Sequence, residues 1–207
     1  HLATMAQSTQ VYPTFDLAKY FNVKSCAEVP WGHAINARDK LADALKADIM
    51  LEADICVSDS DPTRIVMSHP PVRESDVTFK EWTALVLEHL EKHPSQKVGM
   101  KLDFKDPPAV EPCLTHLAEL FHSGALTIPV WVNADILTGA GAKQPPFDPD
   151  EFLATTQRLL PGSVVSIGWT TVVDHPYTMT HCEEMLGFCK KHALKNATFP
   201  MRASLPI

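Results

Sequence analysis

No uninterrupted apolar stretch of the sequence approaches the roughly 20 residues of a membrane span, and its start lacks a charged-then-apolar leader. A basic stripe is missing too. Lys and Arg total 18 against 25 Asp and Glu, the formal charge is −7, and the pI is about 5.8. That balance argues against a nucleic-acid groove, which needs clustered cations interleaved with aromatics, but it leaves local lysines free to hold one small phosphate. Clustered Cys/His spacing is absent, which disfavours zinc, as are internal repeats and low-complexity linkers. The cysteines (Cys26, Cys56, Cys113, Cys182, Cys189) are odd in number and scattered, as expected of reduced, buried thiols.

What is present is an ordinary globular composition. With 207 residues, 45% of them hydrophobic and 21% charged, the chain can bury one sizeable core and falls in the range of one domain or most of one. His1 to Thr4 ahead of Met5 read as a cloning remnant. Residues 1–28 are therefore expected to be tag remnant and leader, and 29–207 the folded domain, truncated at its C-terminus. Localisation stays open between cytoplasmic and secreted.

Apolar, strand-like segments near 29–34, 50–57, 98–104, 128–134, 164–169 and 197–203 alternate with helical patterns. The helices carry apolar residues at three- and four-residue spacing, for example Phe79/Trp82/Leu85/Val86/Leu90 and Leu114/Leu117/Phe121. Thr78 with Glu81 forms a capping-box pattern, and Asp148-Pro149-Asp150-Glu151 joins a cap, an N1 proline and an acidic first turn. Such alternation predicts an α/β fold, a TIM-barrel-like parallel (β/α) barrel. Eight strands close that barrel and about six are visible, so it is expected to be incomplete. The segments 58–76 and 138–146 read as long loops at the same end of the sheet.

In Met50-Leu51-Glu52-Ala53-Asp54-Ile55-Cys56-Val57 two carboxylates sit two residues apart in a buried strand. Alternation points both to one face, roughly 7 Å apart. Buried carboxylates cost several kcal/mol unless paired or metal-bound, and no basic residue lies between Lys46 and Arg64. The strand Val98-Gly99-Met100-Lys101-Leu102-Asp103-Phe104, followed by Lys105, repeats the pattern. Taken singly, each acid reads as a rim carboxylate in a salt bridge. Together, Glu52, Asp54 and Asp103 are the candidate ligands of a hard divalent cation, Mg²⁺ or Ca²⁺. With His33 of Trp31-Gly32-His33, His69 of Ser68-His69-Pro70, and Lys105, they suit metal-assisted attack on a phosphate ester, and strand C-termini are where such barrels place chemistry.

The same motifs, with Pro129-Val130-Trp131-Val132-Asn133-Ala134-Asp135-Ile136, Ile167-Gly168-Trp169-Thr170-Thr171 and Phe199-Pro200-Met201-Arg202-Ala203, resemble the menorin family from about Trp31 onward. Menorins in turn resemble the phospholipase C-like phosphodiesterases, which include glycerophosphodiester phosphodiesterases and spider-venom phospholipase D toxins. The order Gly-His, Glu-x-Asp, His, Asp-x-Lys is shared with the venom enzymes. The resemblance implies two catalytic histidines, His33 and His69, a Mg²⁺-binding trio, Glu52, Asp54 and Asp103, and a phosphate-contacting lysine, Lys105.

On that footing the chain is expected to act on a phosphodiester of glycerophosphodiester or lysophospholipid type, as a phosphoric diester hydrolase or lyase. His33 deprotonates a substrate hydroxyl or attacks directly, and His69 protonates the leaving oxygen. Lys101, Asn133, Asp135, Trp169 and Arg202 are the candidate substrate-binding residues. The remaining histidines have no carboxylate partners at ligand spacing and read as solvated or packing residues. The resemblance also implies an alternative, a non-catalytic interaction module in cell-surface or extracellular complexes that pattern neurites, with protein partners in place of a substrate. Fold carries neither the substrate nor the partner.

Overall fold

The computed structural model of the chain describes residues 10–172 and 174–201. Along it run α1 (Leu17–Phe21), β1 (Trp31–Gly32), α2 (Arg38–Ala44), β2 (Ile49–Val57), β3 (Ile65–Met67), α3 (Phe79–Lys92) and β4 (Val98–Phe104), followed by α4 (Pro107–His122), β5 (Val130–Thr138), α5 (Pro149–Leu159), β6 (Val164–Thr170), α6 (Met179–Lys191) and β7 (Ala197–Thr198). The strands pair in the order β1-β2-β4-β5-β6-β7, all parallel, with β3 antiparallel on β2. This is the predicted TIM-barrel-like α/β sheet, incomplete at six parallel strands, with β1 and β7 at its two ends.

All six predicted strands form, and one more appears. β1 has only two residues, pairs with Met50 and Leu51, and leaves the upper edge of β2 open. The run Ile65-Val66-Met67, predicted as part of a loop, fills that edge opposite Val57, Cys56 and Ile55. β1 is shorter than its predicted 29–34 because the backbone turns at Ala34, at φ 54°. At the far end β7 covers only Ala197–Thr198 of the predicted 197–203, whose last two residues lie outside the described ones.

Helix starts follow their signals. Thr78 and Glu81 close a capping box on α3 and Asp148 caps α5, each satisfying orphan N–H groups of a first turn. α6 has an unpredicted box in which His181 takes the Glu role opposite Thr178.

Alternation along the strands divides the sheet. Leu51, Ala53, Ile55, Met100, Leu102, Phe104, Val132 and Ala134 join Trp82, Leu114 and Leu117 in the main core. Each such fully buried large side chain contributes about 1.5–3 kcal/mol of transfer free energy. The N-terminal end of the other face is covered by Leu17, Phe21 and Val29, packed on Met50, with Trp131 beside them. Tyr20 donates to the Val98 carbonyl at 3.0 Å, and Gly99 gives room to the Met50 side chain, whose sulfur would stand 2.1 Å from a Cβ there. Tyr12 is buried against Phe121, with its hydroxyl on the Ile128 carbonyl. Tyr12, Leu17 and Phe21 thus anchor this N-terminal stretch on the fold.

The cysteines are all free, but not all buried: Cys56 and Cys113 are, Cys182 and Cys189 are half-buried, and Cys26 is exposed. No helix among the described residues is long and apolar enough to cross a membrane.

Candidate functional site

Strand register lays out the site. Asp54 is opposite Asp103, Asp103 opposite Asn133, Asn133 opposite Ser166, and Ser166 opposite Thr198. Strand alternation sends that row, with Glu52 and Lys101 one step below and Asp135 and Gly168 one step above, to the face away from the main core. Of this polar row across five strands, Asp54, Asp103, Asn133 and Ser166 are all buried.

The three carboxylates Glu52, Asp54 and Asp103 offer oxygens that all lie within 4.8 Å of one another. Glu52 Oε2 accepts the Ala34 amide at 2.8 Å, which is what the left-handed backbone at Ala34 achieves; that conformation is strained for a residue with a Cβ. Asp54 is clamped by Asn36, whose Nδ2 donates to Oδ2 and whose Oδ1 accepts the Asp54 amide, both at 2.8 Å. Asn133 Nδ2 donates to Asp103 Oδ1 at 2.7 Å. The cation that sequence reasoning could not find within the strand comes from β4's end: Lys105 Nζ is 2.7 Å from Asp103 Oδ2 and 3.2 Å from Asp54 Oδ1.

Burial disfavours the Lys105 charge, but Asp103, Asp54 and Asp135 outweigh it and hold the ammonium above its ordinary pKa. Three carboxylates and one ammonium leave a formal −2. Asp135 is pushed up to about 6 by burial and by Asp103, against Lys105, Lys101 and His69. Glycine at position 168 leaves room for that carboxylate. A Cβ there would stand 1.9 Å from Asp135 Oδ1, and a bulge in β5 after Asp135 resets the register beyond it.

Both histidines lie at the carboxyl ends of the strands. The His33 side chain is 87% exposed, with Nε2 3.7 Å from Glu52 Oε2. His69 Nδ1 faces the Pro70 carbonyl at 2.6 Å, which leaves Nε2 as the free ring nitrogen. The segment that carries His69 is anchored rather than loose. Glu74 accepts from Ser58 Oγ at 2.6 Å and the Ser60 amide at 2.9 Å, bonds that hold its carboxyl down at about 2. Arg73 ties Asp59 to Asp106, and Ser75 Oγ donates to the Asn36 carbonyl at 2.8 Å. A cleft of about 290 Å³ opens beside His69, between Ser68, Val72, Ala34, Asn36 and Lys40. A larger hollow, about 460 Å³ among Pro107, Phe147 and Phe152, lies between α4 and α5, with no link to the carboxylates.

Other predicted site residues fare differently. Lys101 shares the polar face and makes no hydrogen bond or ion pair within the described residues. Asn133 turns its amide to Asp103 instead of outward. Trp169 alternates with Gly168 and Thr170, joins the main core and stacks on Tyr177, 5% exposed. The structure does not bring it to the carboxylates. Arg202 lies outside the described residues. Of the remaining histidines, His192 has Nε2 2.7 Å from Asp150 Oδ1, across from α6 to α5.

Sequence reasoning gave no role to Asn36, the Ala34 amide or Gly168. No spacing rule ties an asparagine before one helix to a carboxylate 18 residues later.

The model of the Menorin N-terminal domain family matches residues 25–206. Human Protein FAM151B is 37% identical over 187 residues, covering 86% of this chain and 64% of that protein, so this chain spans somewhat less than two thirds of that relative. No solved structure matches the chain.

Proposed function

Because the chain belongs to the menorin family, we propose that this domain is a divalent-metal-dependent phosphodiesterase, acting as a hydrolase or lyase on a phosphodiester of glycerophosphodiester or lysophospholipid type. The observation that carries the reading is the convergence of Glu52, Asp54 and Asp103 within 4.8 Å. The donor set fits the ion: all three ligands are hard oxygens, which suits Mg²⁺ or Ca²⁺. The uncompensated −2 matches it in charge, and Asn36, Asn133 and the Ala34 amide already fix the ligands from behind.

Glu52, Asp54 and Asp103 would hold the ion, which when bound supplies positive charge to a non-bridging phosphate oxygen. Lys105 adds a second positive group at the same mouth. His33, exposed and facing outward beside Glu52, takes the proton from the attacking hydroxyl. His69, its ring oriented by the Pro70 carbonyl, presents Nε2–H to the leaving oxygen, and the alcohol departs through the cleft beside it. Lys101 and Asp135 remain the side chains able to read the rest of the substrate.

The test is calorimetric titration of Mg²⁺ and Ca²⁺ into this chain and Glu52→Gln, followed on the same samples by a phosphodiester screen for released alcohol. Ion binding lost in the variant, with turnover in the parent, is the expected result. Ion binding without turnover would leave only a metal-stabilised scaffold, and no ion binding would remove the metal centre.

A further inference from the structure

The trio is already partly filled by the protein itself. Lys105 Nζ stands between Asp54 Oδ1 and Asp103 Oδ2, at 3.2 and 2.7 Å. The other oxygen of each of these carboxylates is taken by an asparagine amide. Glu52 uses Oε2 for the Ala34 amide, and its Oε1 has no hydrogen bond among the described residues. An incoming divalent ion therefore finds one free oxygen on Glu52 and must share the remaining two with an ammonium.

Sharing is unfavourable on two counts. Each of those oxygens already faces Nζ, and a unit charge beside a divalent ion in a site with little water repels it strongly. One side chain is free to yield. The Lys105 backbone is fixed, its amide donating to the Ile55 carbonyl at 2.9 Å, but the flexible stem that carries the ammonium can rotate. Asp54 and Asp103 cannot follow it, because Asn36 and Asn133 pin them.

Resting on the metal reading above, we propose that Lys105 is a built-in counter-cation that competes with the divalent ion for Asp54 and Asp103, and that ion entry displaces its ammonium toward the mouth of the sheet. Two consequences follow. Without the ion, Lys105 keeps the clustered carboxylates compatible with a folded core. With the ion, the released ammonium is available to a phosphate, so cation binding precedes productive phosphate binding. Lys105 thus lowers ion affinity and links ion loading to substrate capture.

A merely structural role for Lys105 predicts the opposite sign: its removal would loosen the carboxylates and weaken ion binding. Calorimetry with Ca²⁺ and Mn²⁺ on this chain, Lys105→Met and Lys105→Arg separates the two. Lys105→Met is expected to bind the ion about ten-fold tighter or more, because a repelling charge has gone, and its thermal stability to rise more steeply with ion than the parent's. Lys105→Arg, whose fork grips two carboxylates better, is expected to bind it more weakly. Parent binding with Lys105→Met equal or weaker overturns the competition and leaves the metal centre standing. Binding by Lys105→Met alone, abolished again by adding Asp54→Asn, supports it in its strongest form. Binding by neither overturns both readings. If Lys105→Met does not fold at any ion concentration, Lys105→Arg decides: weaker binding supports the proposal, and unchanged or tighter binding overturns it.

Discussion

Asn36 and Asp54 hold each other by two hydrogen bonds of 2.8 Å, one from Asn36 Nδ2 to the carboxylate and one from the Asp54 backbone N–H to the side-chain Oδ1 of Asn36. The second bond stands where β3 and β1 leave the middle of the β2 edge without a strand partner. A side chain from the segment after β1 therefore does the work of a strand there, and aims a carboxylate while doing so. Asn36→Ala leaves the Asp54 backbone N–H and Oδ2 without their partners, while Oδ1 keeps Lys105, and is expected to cost about 2 kcal/mol of stability. Ion affinity should fall about ten-fold or more, as for other groups that orient metal ligands. Urea unfolding and calorimetry read the two effects, and an unchanged ion affinity would show that Asn36 only stabilises the fold.

Gly168 is the complement of Asp135. Gly168→Ala puts a Cβ on the carboxylate oxygen and is expected to destabilise by about 1–3 kcal/mol, as overpacking does. The double variant Gly168→Ala/Asp135→Ala should recover much of that loss, because the clash has been removed. Strict additivity in chemical denaturation would place the strain elsewhere.

The Asp135 carboxyl titrates near 6 in the fold, raised from 3.8 by burial and by Asp103. A carboxyl whose pKa is raised on folding binds its proton more tightly in the native state. Its contribution to stability is full below about 3.8 and is lost as the pH climbs through about 6. In chelator, the stability of the parent should therefore decline over that window relative to Asp135→Asn. Parallel stability profiles of parent and variant would contradict the buried carboxyl.

Trp82 is fully buried, and its Nε1 donates to the Ile35 carbonyl at 2.9 Å. Ile35 lies between the Ala34 amide that serves Glu52 and the Asn36 that serves Asp54. Trp82→Phe leaves that carbonyl unpaired and is expected to cost about 1–3 kcal/mol. It should also weaken Ca²⁺ binding although residue 82 touches no carboxylate. A loss of stability with intact ion affinity would uncouple the two.

Much of the fold was legible from period and punctuation. The strands containing Glu52 and Asp103 declare themselves because a buried, β-branched run is rarely interrupted by acids. Thr78 and Asp148 announce α3 and α5 because a capping side chain has a fixed offset from the amide it serves. β3 was not legible: three apolar residues become a strand only when a neighbour leaves an edge free, and that depended on where β1 stops. Trp169 looked like a pocket residue in its motif, yet alternation after Gly168 sends it to the core. Its neighbour in the chain, not its own chemistry, decided its environment.

The sequence by itself determined the alternating α/β plan and placed Glu52 and Asp54 on one face of β2, because side-chain direction along a strand has a period of two and needs no distant partner. Only the tertiary structure decided what those carboxylates meet. Lys105 reaches Asp54 across the β2–β4 register, Asn36 returns to Asp54 from the segment before α2, and Gly168 on β6 makes room for Asp135 on β5. Each of these depends on the pairing of strands far apart in the chain, and pairing is set by the packing of the whole sheet, which no local pattern encodes.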